Sequence, residues 1–368
     1  MKSKKMKICF VSGGIHRTGG TERVGTMIAN ELSRRGYEVT ILCFFGTNEK
    51  SFFPLSQDVK IHYLMKPGIE GKIYHFTKSH SILKYHQYLR NEGFDVVIDI
   101  DSSLANFTVP ALKRLKTKYI AWEHFNYQHT ITSKKRQYAL KLIKKRADKL
   151  LVLTKQDFEM HVEAGVSENK IAQIYNPNPF ENYIKSRREQ LVFLSVGKPS
   201  EVKGYDLLLE AWKKVSPVLP KWKLRIVGDA QDEDELKRQI QKNKLKRVEL
   251  VGHSDKIEKI YDEASVYVLT SRHEGFPMVL LEAMAKGLPV IAFDCITGPR
   301  ELITSGENGE LVPYLDIERF ASEMINVAQD RKLQNKYSKS ALEKIEKFNM
   351  EEIGNQWEEL IRDLWRVE

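Results

Sequence analysis

The apolar positions of this chain gather into short unbroken runs, and amphipathic stretches separate them. Residues 7–12 (K-I-C-F-V-S), 37–45, 94–100 (F-D-V-V-I-D-I), 118–122 (K-Y-I-A-W), 150–154 and 170–175 each read as a strand. Their lack of polar alternation predicts burial on both faces, as in a parallel sheet. Between the first two runs, a Gly-rich turn leads into a helix that continues to about Arg35 and is closed by Gly36; Lys155 opens another helix. The pattern then restarts. Strands are expected at 191–197, 223–229, 248–252, 266–270, 290–293 and 309–313, helices at 207–215, 232–243 and 278–286, with a further helix opening at 298–302 and a helical tail over 317–368. Repeated strand–turn–helix units predict an α/β protein with two Rossmann-like domains. At 368 residues the chain is long enough for both. The turn signal Asn176-Pro177-Asn178-Pro179 and the polar stretch 181–190 place the boundary, giving domains at 1–182 and 191–349 and a terminal segment at 350–368.

Charge is unevenly distributed between the halves. Residues 1–184 carry 29 Lys and Arg against 17 Asp and Glu, whereas residues 185–368 carry 30 against 32. The basic half includes a helix candidate at 133–149, in which Tyr138, Leu142 and Ile143 interleave with the charges. That pattern suits an anionic membrane surface or an anionic lipid-linked partner, or simply a solvated helix face. No nucleic-acid recognition motif accompanies the charge. The cysteines, Cys9, Cys43 and Cys295, are odd in number, far apart and set in or beside apolar runs, which argues for a reducing compartment and against a disulfide or zinc framework. The first apolar run is too short for a signal peptide, and no stretch reaches the length of a membrane span. A cytoplasmic location follows as an expectation.

Chemistry concentrates in residues 271–293, S-R-H-E-G-F-P-M-V-L-L-E-A-M-A-K-G-L-P-V-I-A-F. A strand end, a turn punctuated by Gly275 and Pro277, and a helix opening at Met278 bring free N–H groups to the carboxyl edge of a sheet, where anionic ligands bind. Glu274 lies in the turn and Glu282 on the helix, with seven residues between them. A carboxylate accepts two hydrogen bonds from vicinal hydroxyls, so Glu282 suits a ribose and Glu274 a hexose, with Gly275, Phe276, Pro277, Met278 and Val279 facing a diphosphate. Taken singly, each Glu is more often a solvated or helix-capping residue. The whole string resembles the donor-binding signature of the family-4 (group 1) retaining glycosyltransferases.

Further residues extend the resemblance over nearly the whole chain. The loop Gly13–Arg23 ends in G-G-T-E-R, where Gly19 and Gly20 permit close backbone approach and Thr21 is the expected N-cap. It lacks G-x-G-x-x-G spacing, which disfavours a dinucleotide oxidoreductase. It resembles the G-G-x-E-R loop of bacterial polysaccharide glycosyltransferases, which faces the cleft between their domains; the resemblance implies that Gly19, Gly20 and Thr21 contact the acceptor and that Gly20 also contacts the donor. Asp99 and Asp101 form a D-x-D pair, but two lone carboxylates make a poor metal cage, and an acceptor-contacting or capping role for Asp101 is expected instead. His124 follows the strand 118–122, where relatives place a His beside the transferred sugar. Lys198 and Lys203 bracket the loop after the strand 191–197 and suit a diphosphate. Relatives often carry Arg at the Lys198 position, so a point charge here replaces a guanidinium fork. His253 stands where a base such as uracil lies in relatives.

The resemblance implies the GT-B fold, two Rossmann-like domains facing across a cleft, with the last helix crossing back to the first domain through Trp357 and Trp365. It implies retaining transfer of a hexose or N-acetylhexosamine from a UDP-sugar, without a metal or other cofactor, to a glycan acceptor. A lipid-linked acceptor at the inner face of the cell membrane, in capsule, exopolysaccharide or O-antigen-type assembly, fits the basic half. The expected catalytic residues are His124, Lys203 and Glu274. Two alternatives stay open: an epimerase or phosphorylase on the same fold, or a silent nucleotide-sugar-binding subunit.

Overall fold

Apolar runs with no polar alternation need cover on both faces, and the computed structural model supplies it with two parallel sheets flanked by helices. It describes residues 5–44, 50–64, 74–180, 190–228 and 233–365. The chain divides into two compact units, residues 1–177 with 350–368, and residues 178–349. The division falls inside the Asn-Pro-Asn-Pro turn. Most of the expected linker, at 181–189, lies outside the described residues, as do Phe45 and Asp229 at two expected strand ends and Asp232 at an expected helix start.

The first sheet contains β1 (Lys7–Ser12), β2 (Glu38–Cys43), β3 (Lys60–Tyr63), β4 (Val96–Asp99), β5 (Lys118–Trp122), β6 (Lys149–Val152) and β7 (Ile171–Gln173). Its order is β3-β2-β1-β4-β5-β6-β7, and every pairing is parallel. The second contains β8 (Val192–Val196), β9 (Lys223–Val227), β10 (Val248–Val251), β11 (Val266–Leu269), β12 (Val290–Phe293) and β13 (Gly309–Val312), ordered β10-β9-β8-β11-β12-β13 and again parallel throughout. In each sheet the order reverses beside its first strand, between β1 and β4 and between β8 and β11. Such switch points open a crevice at the carboxyl ends of the strands, where ligands of α/β folds bind.

Several expectations change. The helix Gly20–Arg34 begins before Thr21, so Gly19 is its N-cap and Thr21 lies inside the first turn. The basic helix spans Lys134–Arg146, capped by Ser133, and Lys149 already belongs to β6. Its Ile143 is buried and Leu142 half-buried, leaving Tyr138, 55% exposed, as the exposed apolar residue among the lysines. The tail is three helices, Ile317–Gln329, Arg331–Ile345 and Met350–Asp363. Asp330 ends the first of these and caps the second through Leu333 N–H.

The helix Met350–Asp363 packs on the first unit. Trp357 is fully buried, its ring 4.7 Å from Trp122 in edge contact and 6.4 Å from Phe10. Arg35, at the end of the Gly20–Arg34 helix, reaches Glu31 (2.6 Å), Asn355 (2.7 Å) and Glu358 (2.8 Å). Trp365 is half exposed, with Lys118 Nζ 5.4 Å from its ring. All three cysteines are buried free thiols.

Candidate active site

At the β8/β11 switch point two loops meet. The loop after β8 ends in a short turn, Glu201–Lys203, and the helix Tyr205–Val218 starts at Gly204. Gly204 has φ 62°, and a Cβ there would stand 2.1 Å from the Thr270 carbonyl oxygen, so only glycine lets this loop lie against the end of β11. Thr270 Oγ1 donates to Gly204 O at 2.9 Å and seals the contact. Arg272, from the loop after β11, clamps the same turn. Its guanidinium donates to Glu201 O (2.7 Å) and, as a fork, to both Asp206 carboxylate oxygens (2.9 and 2.7 Å), while its N–H donates to Val202 O (2.7 Å). The result brings Lys203 Nζ within 2.8 Å of Glu274 Oε1, with both side chains largely shielded.

The Glu274 loop is held from its other side as well. Thr297, fully buried and at φ 57°, donates from Oγ1 to the Glu274 carbonyl. Gly298 at φ 87° lets Gly275 and Pro277 pass, since a Cβ there would meet Pro277 Cδ at 2.7 Å. Phe276 is buried, 6.0 Å from Phe348. The helix Met278–Ala285 follows, with Pro277 as N-cap and no side chain capping it. Its first N–H groups therefore suit an anion. Glu282 lies inside this helix, 3% exposed, and accepts a 2.6 Å hydrogen bond from the Tyr261 hydroxyl.

Lys203, Glu274 and Gly275–Val279 thus converge, as the sequence suggests. Lys198 and His253 do not join that pairing. Lys198 is exposed on the loop after β8, and His253 is exposed after β10 with Nε2 3.2 Å from Asp255. Arg272, Thr297 and Tyr261 went unnoticed in the sequence. Only the crowding of polar residues around E-G-F-P hinted at the first of them.

The first sheet has its own polar edge, beyond β4 and β5. Asp101 caps the turn Ser102–Leu104 through Ser103 N–H (2.7 Å) and pairs with Arg136 at 3.0 Å. Burial works to raise its carboxyl, but Arg136 and Ser103 hold it below the usual carboxylate range. Asp99 sits in the core and accepts from Tyr119 (2.6 Å) and Thr108 (2.7 Å); burial lifts it to about 8. The two carboxylates of D-x-D therefore serve separate networks. Glu123 is buried among Ser102, Thr130, Arg136 (3.2 Å) and the Phe125 N–H (2.9 Å), and burial pushes it up to about 7 against the pull of Arg136. His124 is also buried, its ring 4.3 Å from Trp122, and its Nε2 has no hydrogen-bond partner among the described residues. Burial drives this imidazole down to about 3, so it is neutral near pH 7. Gly19, Gly20 and Thr21 stand at the open start of the first helix, Gly20 exposed and its neighbours half-buried. Among the described residues, no three His, Cys, Asp or Glu side chains are grouped to hold a metal ion.

Two Rossmann-like domains, each built on a parallel sheet, are the architecture of the GT-B glycosyltransferases. Residues 18–178 match the model for Glycosyltransferase Family 4 and residues 180–344 that for Glycosyl transferases group 1, and the chain belongs to this family. An uncharacterized glycosyltransferase of Haemophilus influenzae is 30% identical over 357 residues, covering 96% of this chain and 99% of that protein. The amylovoran biosynthesis glycosyltransferase AmsD of Erwinia amylovora is 28% identical over 368 residues, covering 96% and 99%. Among solved structures, Anabaena HepE in complex with UDP and glucose superposes with a TM-score of 0.81 at 20% identity, covering 97% of this chain and 100% of that one.

Proposed function

We propose that this glycosyltransferase moves a hexose or N-acetylhexosamine, with retention of anomeric configuration, from a UDP-sugar to a glycan acceptor in bacterial surface-polysaccharide assembly. The observation that carries the reading is the pairing of Lys203 with Glu274 at 2.8 Å beside the uncapped helix opening at Met278. A cation and free N–H groups suit a diphosphate, and an adjacent carboxylate suits sugar hydroxyls. The kinship with AmsD supports the polysaccharide context, and the UDP and glucose held by HepE support the donor class.

In this mechanism the anomeric C–O bond to the diphosphate breaks through an oxocarbenium-like state. Lys203, Lys198 and the Met278 N-terminus stabilise the charge growing on the leaving phosphate, the kind of preorganised electrostatics that often dominates catalysis. No metal is needed if they suffice. Glu274 fixes the sugar hydroxyls and Glu282 the ribose, contributing position rather than bond-making. The acceptor oxygen bonds to the anomeric carbon on the face the phosphate leaves, and its proton passes to that phosphate. Neutral His124 offers a hydrogen bond to a sugar hydroxyl. Gly19, Gly20, Thr21 and Asp101 are assigned to the acceptor.

The acceptor is lipid-linked in this reading, and the first unit contacts an anionic membrane at the inner face of the cell. Exposed Tyr138 among Lys134, Lys135 and Lys141 supports this. No helix among the described residues is long and apolar enough to cross a membrane, so such contact would be peripheral.

The test is binding and slow hydrolysis across a panel of nucleotide-sugars with EDTA present. Selective turnover of one UDP-sugar is expected. Failure of every nucleotide-sugar to bind would remove the donor assignment.

A further inference from the structure

Behind the donor helix lies a polar interface that the sequence did not suggest. The short helix Ile257–Asp262 grips the helix Met278–Ala285 and its C-cap at two points. Tyr261, fully buried, donates its hydroxyl to Glu282 Oε2 at 2.6 Å. Four residues on, Lys286, only 1% exposed, reaches Glu258 (3.1 Å) and Asp262 (3.3 Å) with its ammonium 5.2 Å from the Phe180 ring. The Tyr261 ring is itself wedged, stacked 5.9 Å from Tyr267 on β11 and edge-on to Phe180 at 5.8 Å. A phenol so confined has little freedom; its hydroxyl, also 3.4 Å from the Val279 carbonyl oxygen, makes its shorter bond to the carboxylate. Tyr261 is thereby one anchor of the Glu282 carboxylate.

We infer that Tyr261 is a positioning residue that sets the Glu282 carboxylate to read the hydroxyl pair of a ribose, and so makes the site discriminate ribonucleoside from deoxyribonucleoside diphosphates. The inference rests on the donor reading above. A carboxylate fork reads two vicinal hydroxyls only when its plane is fixed, and positioning shells of this sort decide how well such a site works. Without the Tyr261 hydroxyl, Glu282 would lose this anchor, and the preference for the vicinal pair would fall while the diphosphate contacts stayed intact.

The experiment titrates the full-length protein with UDP and with 2′-deoxy-UDP by calorimetry. Wild type is expected to favour UDP by about tenfold or more, the scale of a lost hydrogen bond to a charged group. In Tyr261→Phe that ratio should fall below about threefold, with 2′-deoxy-UDP binding unchanged. A purely structural role would weaken both ligands together. Because Tyr261→Phe leaves a buried carboxylate short of a donor, Tyr261→Phe combined with Glu282→Gln is the second variant, compared with Glu282→Gln alone. If Tyr261 acts through Glu282, adding the Phe changes the ratio no further. An undiminished ratio in Tyr261→Phe, parallel losses for both ligands, or a further fall in the double variant would overturn the inference and leave the donor reading standing. Failure of wild type to bind UDP would remove that reading and the inference with it.

Discussion

At His124 and Asp99, burial outweighs the charges nearby. His124 is held neutral by burial, so its contribution should not titrate between pH 5 and 8, where an exposed histidine would. Asp99 is the opposite case, an acid kept protonated. Its folded value of about 8 lies well above the ordinary carboxylate range. The folded state therefore retains a proton that the unfolded chain releases near pH 4, and this group's contribution to stability falls as pH climbs from about 4 to about 8. Tyr85, Tyr119 and Cys9, which share its pocket, are all raised by burial and stay protonated through that window. Asp99→Asn should thus be more stable than wild type at pH 8 by about 1 kcal/mol or more, with little gain at pH 4. Denaturant unfolding at the two pH values checks this. Glu123, also raised, gives a slope of the same sign, so the variant's curve flattens without becoming level. Equal shifts at both pH values would mean that Asp99 is ionised in the fold.

At the scale of elements, the sequence was most legible where chemistry is local. β1, β5 and β12 occupy the residues read from their apolar runs. The Met278 helix starts where Pro277 and the run of good helix formers place it. β3 escaped because K-I-H-Y offers a single strong apolar position and stays largely exposed at a sheet edge. The helix Tyr74–Glu92 has no marked apolar stripe, so its periodicity carried little signal. Long-range pairs were invisible. Arg272 clamps residues 66 and 71 positions upstream, and Arg136, one of the charges of the basic stretch 133–149, is buried against Asp101 and Glu123. The two tryptophans of the C-terminal segment, Trp357 in the last helix and Trp365 in the turn after it, separate on the same grounds, since one fills a core and the other rests on a surface. Trp357→Ala should cost about 3–5 kcal/mol, the loss typical of an emptied aromatic site, while Trp365→Ala should stay within about 1 kcal/mol. Melting temperatures of the two variants check it, and similar losses would contradict the packing described for Trp357.

The whole molecule repeats one device. Each unit builds a parallel sheet whose strand order reverses once, and each places its polar residues at the carboxyl edge of that reversal. The sequence disclosed this because both halves carry the same strand–turn–helix grammar. What it could not disclose is that Lys203 and Glu274, assigned to different parts of a donor, neutralise one another in the free protein. In the proposed mechanism each exchanges this partner for the donor, and that exchange puts the proposal in measurable form. The most direct test measures UDP affinity and sugar transfer in Glu274→Gln. The variant should bind UDP at least as tightly as wild type, because Lys203 is released from its carboxylate, yet lose transfer by about a hundredfold or more, as removal of a positioning group can do. Wild-type transfer in this variant, or UDP binding lost along with transfer, would contradict the account.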